Sequence, residues 1–338
     1  MSSMSKYVVF VLGALCTGGA AASEQELSKQ ILRSDGWVGY EVPMVAGAGS
    51  PCCFEFHGKK ASRTGCDLDG RSWNIGRDDK DPRADDSVLA VYLHVANARI
   101  DKVRAFGASC AIRDSDKLRR LEHVDSADSI ALLAHAAADP REPHDSEDAE
   151  LAALAMHADA AATPALAQLA DSGHPRKLRE QALFWSGQLR GVDGAHLVER
   201  YATTDADPEL RAAAIFALSE SKGLDAYASI LRIAHTDTSA HVREQALFWM
   251  AQMNDPRAHD DILAAIDREP SDDVREQAVF ALSQLKDADK ALIALVRGHY
   301  PRKIKQQALF WLGQSGSDEA LHFIDEVLST RGAGAHDS

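Results

Sequence analysis

This 338-residue chain is poor in positive charge: 37 Lys and Arg stand against 51 Asp and Glu, a formal net charge of −14. That argues against a nucleic-acid binder, because gripping phosphates takes clustered cations. No phosphate loop, Ser-His-Asp order or paired-carboxylate signature stands out, so motif marks no reaction centre. The histidines, among them His94, His123, His135, His157 and His235, lack a ligand spacing, and neither a metal nor a cofactor is expected. Cysteine is missing after Cys110. The rest is ordinary for a folded protein, 45% apolar and 26% charged, with room for about two domains.

The start of the chain reads as an export signal. Lys6 supplies the charge, Tyr7 to Cys16 an apolar stretch, and Ala20-Ala21-Ala22 a small-residue site cut after Ala22, giving a signal peptide over 1–22. The stretch is too short to span a bilayer, and bulky Leu15 before Cys16 argues against lipid attachment. The mature protein is expected to be periplasmic or secreted, without membrane insertion. Its four cysteines, Cys52, Cys53, Cys66 and Cys110, are an even set, which in an exported chain reads as disulfides. A bond between neighbours is strained, so Cys52 and Cys53 should each reach a distant partner. Zinc, with His57 as a further ligand, is the alternative, but two Cys-x-x-Cys knuckles are lacking. Asp67-Leu68-Asp69-Gly70, with Asn74, Asp78 and Asp79, offers oxygen donors without the final Glu of a calcium loop, and reads as a solvated acidic loop.

Residues 24–138 read as a small β-containing domain tied by those cysteines. Strands are expected over Trp37–Val45, Cys52–Phe56 and Val88–Val95. A turn at Asn97-Ala98 would lead to a further strand with Ile100, Val103 and Phe106. Ser126 to Ala137 looks helical. Residues 139–147 hold two prolines and many charges and form the expected linker. From 148 to 330 the pattern is helix after helix, and 331–338 is left as a disordered tail.

One phrase recurs five times in that helical half. It opens at Arg179, Arg211, Arg243, Arg275 and Lys305, and its fullest form is Arg243-Glu244-Gln245-Ala246-Leu247-Phe248-Trp249. The intervals are 32, 32, 32 and 30 residues, a period that means stacked helical hairpins. Asp207-Pro208 and Asn254-Asp255-Pro256 supply helix starts between phrases. Asn254 to Ala258, then Ile262-Leu263, then Val274 to Leu282, resembles the HEAT-repeat unit of the bilin-lyase type. The resemblance covers about residues 148–330. It implies an α-solenoid with the phrase helices on the concave side. It also brings two enzymatic associations, bilin attachment and the di-iron chemistry of deoxyhypusine hydroxylases. The latter uses paired His-Glu motifs on the inner helices, and no phrase here contains one. Bilin chemistry has no residue to point to.

On a helical wheel of the third phrase, Val242, Ala246, Met250 and Met253 form the expected buried stripe, with Trp249 beside them. Gln245, Phe248 and Gln252 share a separate face. The same triplet occurs as Gln181, Phe184, Gln188; as Gln277, Phe280, Gln284; and as Gln307, Phe310, Gln314, whereas the second phrase keeps only Phe216. Stacking would align these into a row of rings flanked by amides. Two readings stand side by side: a groove for a protein or peptide segment, with Phe giving contact area and Gln bonding to its backbone, or rings and amides used up in packing between repeats. Trp185, Trp249 and Trp311 occupy odd phrases and Ala217 and Ala281 even ones. Odd phrases follow basic or His-bearing turns and even ones acidic turns, all read as solvated. The phrase Arg and Glu are expected to form salt bridges between repeats. The functional expectation is an exported interaction scaffold. An enzyme or enzyme subunit with thiol or metal chemistry in residues 24–138, and a structural envelope component, are the alternatives.

Overall fold

The computed structural model describes residues 26–49, 51–57, 60–70, 75–76, 87–139 and 148–333. The expected signal peptide, the linker beyond Asp139, and Asn74, Asp78 and Asp79 of the acidic loop lie outside the described residues, as do residues 334–338 of the tail. The chain divides into two compact units, Met1–Ala165 and Leu166–Ser338.

In the first unit, a helix α1 over residues 26–32 precedes β1 (Gly36–Pro43), β2 (Cys52–His57), β3 (Lys60–Arg63) and β4 (Ile75–Gly76). Then come β5 (Val88–Ala96), β6 (Arg99–Gly107) and β7 (Arg119–Arg120). One sheet runs β6-β5-β1-β7, with β5 antiparallel to β1 and β6 and β7 parallel to β1; a second runs β3-β2-β4. The expected strands are all present. Asn97 and Ala98 both take positive φ, 55° and 57°, the geometry of a two-residue hairpin turn that matches strand twist.

The near-continuous apolar run in β5 has a physical reason: both faces of that strand are buried. Ala90 and Tyr92 pack in a cluster with Phe54, Phe106 and the four cysteines, while Leu89, Val91, Leu93 and Val95 are fully enclosed. The cysteines stand in disulfide geometry as Cys52–Cys110 and Cys53–Cys66, with Cα–Cα distances of 5.7 and 5.3 Å. Each adjacent cysteine reaches a distant partner, and these pairings leave none of the four thiols for zinc. Asp67 Oδ1 accepts from the backbone N–H groups of Asp69 and Gly70 at 3.0 and 3.2 Å. Asp69 accepts from Trp37 Nε1 and Lys102 Nζ. Asp67 and Asp69 are exposed, as expected of a solvated acidic loop, and hold the turn by these bonds.

The sequence places 148–330 in the solenoid, whereas the first compact unit extends to Ala165. Helices α2 (Ser126–Ala138) and α3 (Ala149–Met156) pack together, and α3 packs on β6. The cause is a buried polar chain. Tyr40 Oη of β1 is hydrogen-bonded to Ser129 Oγ of α2 at 2.8 Å, and Ser129 Oγ to His157 Nε2 at 2.9 Å. Met44 forms a β-bridge with His157. His157 and Ser129 have no exposed surface, so these bonds must form together or leave costly orphans.

In the second unit, α4 (Ala162–Leu169) leads into helical hairpins: α5 (Arg176–Leu189) with α6 (Gly191–Thr204), α7 (Pro208–Ser219) with α8 (Ala226–Thr236), and α9 (Ala240–Gln252) with α10 (Ala258–Arg268). Next are α11 (Asp272–Ser283) with α12 (Asp289–Arg297), and α13 (Arg302–Ser315) with α14 (Asp318–Ala333). Residues 331–333, expected in the tail, close the last helix. Asp207 and Asp225 cap α7 and α8 through their side chains, and Pro208 occupies the first turn of α7. Small residues set the spacing. A Cβ on Gly187 would come within 2.6 Å of the Ala217 carbonyl oxygen, so α5 and α7 approach closely there. Ala182, Leu183, Ile215, Val242, Ala246, Met250, Val279 and Leu282 are enclosed between layers, as required when no hairpin can bury its apolar face alone.

Candidate functional site

The phrase helices are α5, α7, α9, α11 and α13. Each packs along the next, whereas α6, α8, α10, α12 and α14 make sparser contacts with one another. The phrase helices therefore form the tighter, concave side of the stack.

Their first residues are ties, not groove. Arg179 pairs with Asp205 and donates to the Ala170 carbonyl at 2.7 Å. Arg211 holds Asp237 with both arms, at 2.8 and 2.7 Å, and donates to the Asp205 carbonyl. Arg243 repeats the arrangement with Glu269 and the Asp237 carbonyl. Each carboxylate closes the Arg's own hairpin, bidentate for Arg211 and Arg243, and the carbonyl bonds reach back to the segment before it, so the tie between repeats runs through the backbone rather than through the expected salt bridge. Burial would raise the Asp237 and Glu269 carboxyls, but the Arg211 and Arg243 hydrogen bonds and backbone donors from Ser239 and Ser271 carry both below the usual carboxylate range.

The rings form one unbroken chain of contacts, stacked or tilted between phrases and edge-on within the odd ones. Phe184 lies against Trp185 (centroids 5.2 Å apart) and Phe216 (5.7 Å), and Phe216 against Trp249 (4.7 Å). Trp249 meets Phe248 (5.0 Å), which stacks on Phe280 (6.2 Å) at an interplanar angle of 8°. Phe280 meets Trp311 (4.8 Å), which meets Phe310 (5.0 Å). Phe184, Phe216, Phe248 and Phe280 are half-buried, and Phe310, at the last repeat, is 53% exposed. Each ring packs against a neighbour and keeps part of its surface open.

Trp249 stands half-buried beside the enclosed Val242, Ala246 and Met250 and lies against Phe216 of the preceding repeat, whereas Met253, expected in the buried stripe, is only half-buried at the end of the helix. Trp311 lies likewise against Phe280. Even phrases carry Ala217 and Ala281 at the equivalent position, so no Trp of their own competes for those ring faces. The Trp/Ala alternation is thus the signature of a ladder with a two-repeat period.

Gln181, Gln245, Gln277 and Gln307 are half-buried beside the rings; Gln188 is half-buried, and Gln252, Gln284 and Gln314 are exposed further along. Where α5, α7 and α9 meet, Gln181, Phe184, Ala213, Phe216, Gln245 and Trp249 line a groove of about 490 Å³. Glu180, Glu209, Ala212 and His241 complete it. The wheel omitted these last four because only stacking brings them to the rings. Glu180 is lifted above the usual carboxylate range by burial and by the Asp207 and Glu209 carboxylates, against the pull of Arg176.

The charged turns are not merely solvated. Arg176 Nε lies 2.8 Å from Asp207, His241 Nε2 3.7 Å from Glu209, and Lys303 Nζ 3.2 Å from Glu276. Basic lead-ins of odd phrases thus meet acids on even ones. Among the described residues no group of three His, Cys, Asp or Glu side chains is placed to hold a metal ion, and no helix is long and apolar enough to cross a membrane.

Residues 194–283 match the family model described as HEAT repeats. No curated protein matches the chain. Among solved structures, human deoxyhypusine hydroxylase in complex with glycerol is similar at 17% identity, over 59% of this chain and 86% of that one. The TM-score is 0.31, a likeness too slight to carry an argument. Residues 194–283 are HEAT repeats, and the hairpins before and after them continue the same α-solenoid.

Proposed function

We propose that this is an exported scaffold whose solenoid binds an extended segment of a protein partner along the ring ladder. One observation carries the reading: eight aromatic rings from five successive phrases touch one another in an unbroken row and stay partly open beside rows of Gln. A core would have closed such rings on all sides, as it closes Leu183 and Val279 in the same helices. Contiguous open aromatic surface marks an interaction site. Rigid rings supply contact area at little entropic cost, and amides match a peptide backbone donor for acceptor. The paired cysteines of the first unit support an oxidising compartment, as does the signal-like start.

The test is affinity capture with the mature chain and with a Phe216→Ala/Phe248→Ala/Phe280→Ala variant, partners being identified by mass spectrometry. A partner retained by the parent and lost by a variant of unchanged helicity supports groove binding. Equal capture by both places recognition elsewhere. Compartment is read separately, from fractionation and the N-terminal sequence of the native protein.

A further inference from the structure

We infer that the groove between α5, α7 and α9 selects a segment with a Lys or Arg side chain, which lies over the Phe216 and Trp249 rings and is neutralised by Glu180 and Glu209, followed by apolar residues along Phe248 and Phe280. The inference rests on the groove reading above and specifies its occupant.

The first support is the composition of the groove. Two carboxylates, Glu180 and Glu209, and one imidazole, His241, stand on a wall otherwise made of aromatic rings, amides and Ala. Aromatic faces and carboxylates together favour an organic cation, by ring quadrupole and by charge. The local cations do not saturate them. Arg176 is hydrogen-bonded to Asp207, and His241 stands 3.7 Å from Glu209.

The second support comes from the next window of the same ladder. There Lys303 occupies the place that His241 holds in the first window, two residues before its phrase. Its ammonium lies 3.2 Å from Glu276, which also accepts from Gln307 Nε2. The chain itself thus shows a lysine seated against a phrase carboxylate at the ladder's edge. In the first window Ala212 replaces Glu276 and the shorter His241 replaces Lys303, and there the groove opens. The second window carries its own cation, so the segment needs only apolar side chains there. Packed helices stand about 9 Å apart, so α5 to α9 spans about 18 Å, or about six extended residues.

The test uses the full chain and three fluorescein-labelled peptides, each about twelve residues long, with the same apolar positions and with Lys, Ser or Glu between them. Binding is followed by fluorescence anisotropy. The Lys peptide should bind tightest. Glu180→Gln/Glu209→Gln should weaken it about tenfold while leaving the Ser peptide unchanged. Lys303→Gln, which frees Glu276, should tighten the Lys peptide. If Lys and Ser peptides bind alike, or the Gln variant treats them alike, the cation preference is refuted and the groove stands. If no peptide binds, or Phe216→Ala binds all of them normally, the cation preference and the groove reading fall together.

Discussion

Ile215 and Phe216 are neighbours on one helix, and their fates on truncation should differ in kind. Ile215 has no exposed surface, so Ile215→Ala removes three carbons from a closed interior and costs about 4 kcal/mol. Phe216 is half-buried, touching Phe184 and Trp249 through its faces. Full burial would put Phe→Ala at about 3–5 kcal/mol; half-burial brings it to about 2 kcal/mol, ring contacts included. The smaller truncation should therefore be the more damaging one for stability, and the larger one the more damaging for binding. Urea unfolding followed by far-ultraviolet circular dichroism gives the two stabilities, and capture of the partner gives the two affinities. Phe216→Ala should keep the parent's helicity and lose the partner; Ile215→Ala should melt early and, where still folded, retain it. If Phe216→Ala costs as much as Ile215→Ala, the ring is a packing element and the recognition role is refuted.

Arg211→Ala would strand Asp237 among the enclosed turns without its bidentate partner, and should cost about 3–5 kcal/mol in urea unfolding. The Asp237 and Glu269 carboxyls lie below their ordinary values in the folded state, so they stabilise it above the ordinary carboxylate pKa of about 4, and that contribution is lost as pH falls through the depressed values. Thermal melts should therefore drop on acidification below about pH 4, and Arg211→Ala should flatten that drop; an unchanged acid limb would contradict the assignment. Reducing the disulfides should selectively destabilise the first unit. By loop entropy Cys52–Cys110, 58 residues apart, contributes about 4 kcal/mol and Cys53–Cys66, 13 apart, about 3 kcal/mol. Calorimetry with and without reductant should move one transition and leave the solenoid's in place.

Legibility in the sequence followed from how local each cause was. Strand β5 and its hairpin at Asn97-Ala98 were readable because branched residues and a two-residue turn act within a few positions. The Arg ties were readable in kind, since four of the five phrases open with Arg, but not their partners: Asp237 and Glu269 lie 26 residues on and meet the guanidinium only when the second helix of the hairpin folds back. The packing of α3 was not legible because Ala and Leu look alike in any helix, while Tyr40, Ser129 and His157 meet from separate elements only in the fold. The contact of Trp249 was not readable because an indole is long enough to swing from the flank of its own helix onto a ring of the preceding repeat.

By itself the sequence determined the period, the equivalence of positions from phrase to phrase, the small cysteine-tied β unit and the distant partners of its adjacent thiols, because periodicity and covalent reach are properties of the chain. Only the tertiary structure decided which equivalent side chains are sealed and which stay open. That depends on the distance between stacked helices and the reach of each side chain: Leu247 falls into the gap, Phe248 and Trp249 bridge its rim, and a groove is left at α5, α7 and α9, where Ala212 and His241 stand in place of Glu276 and Lys303.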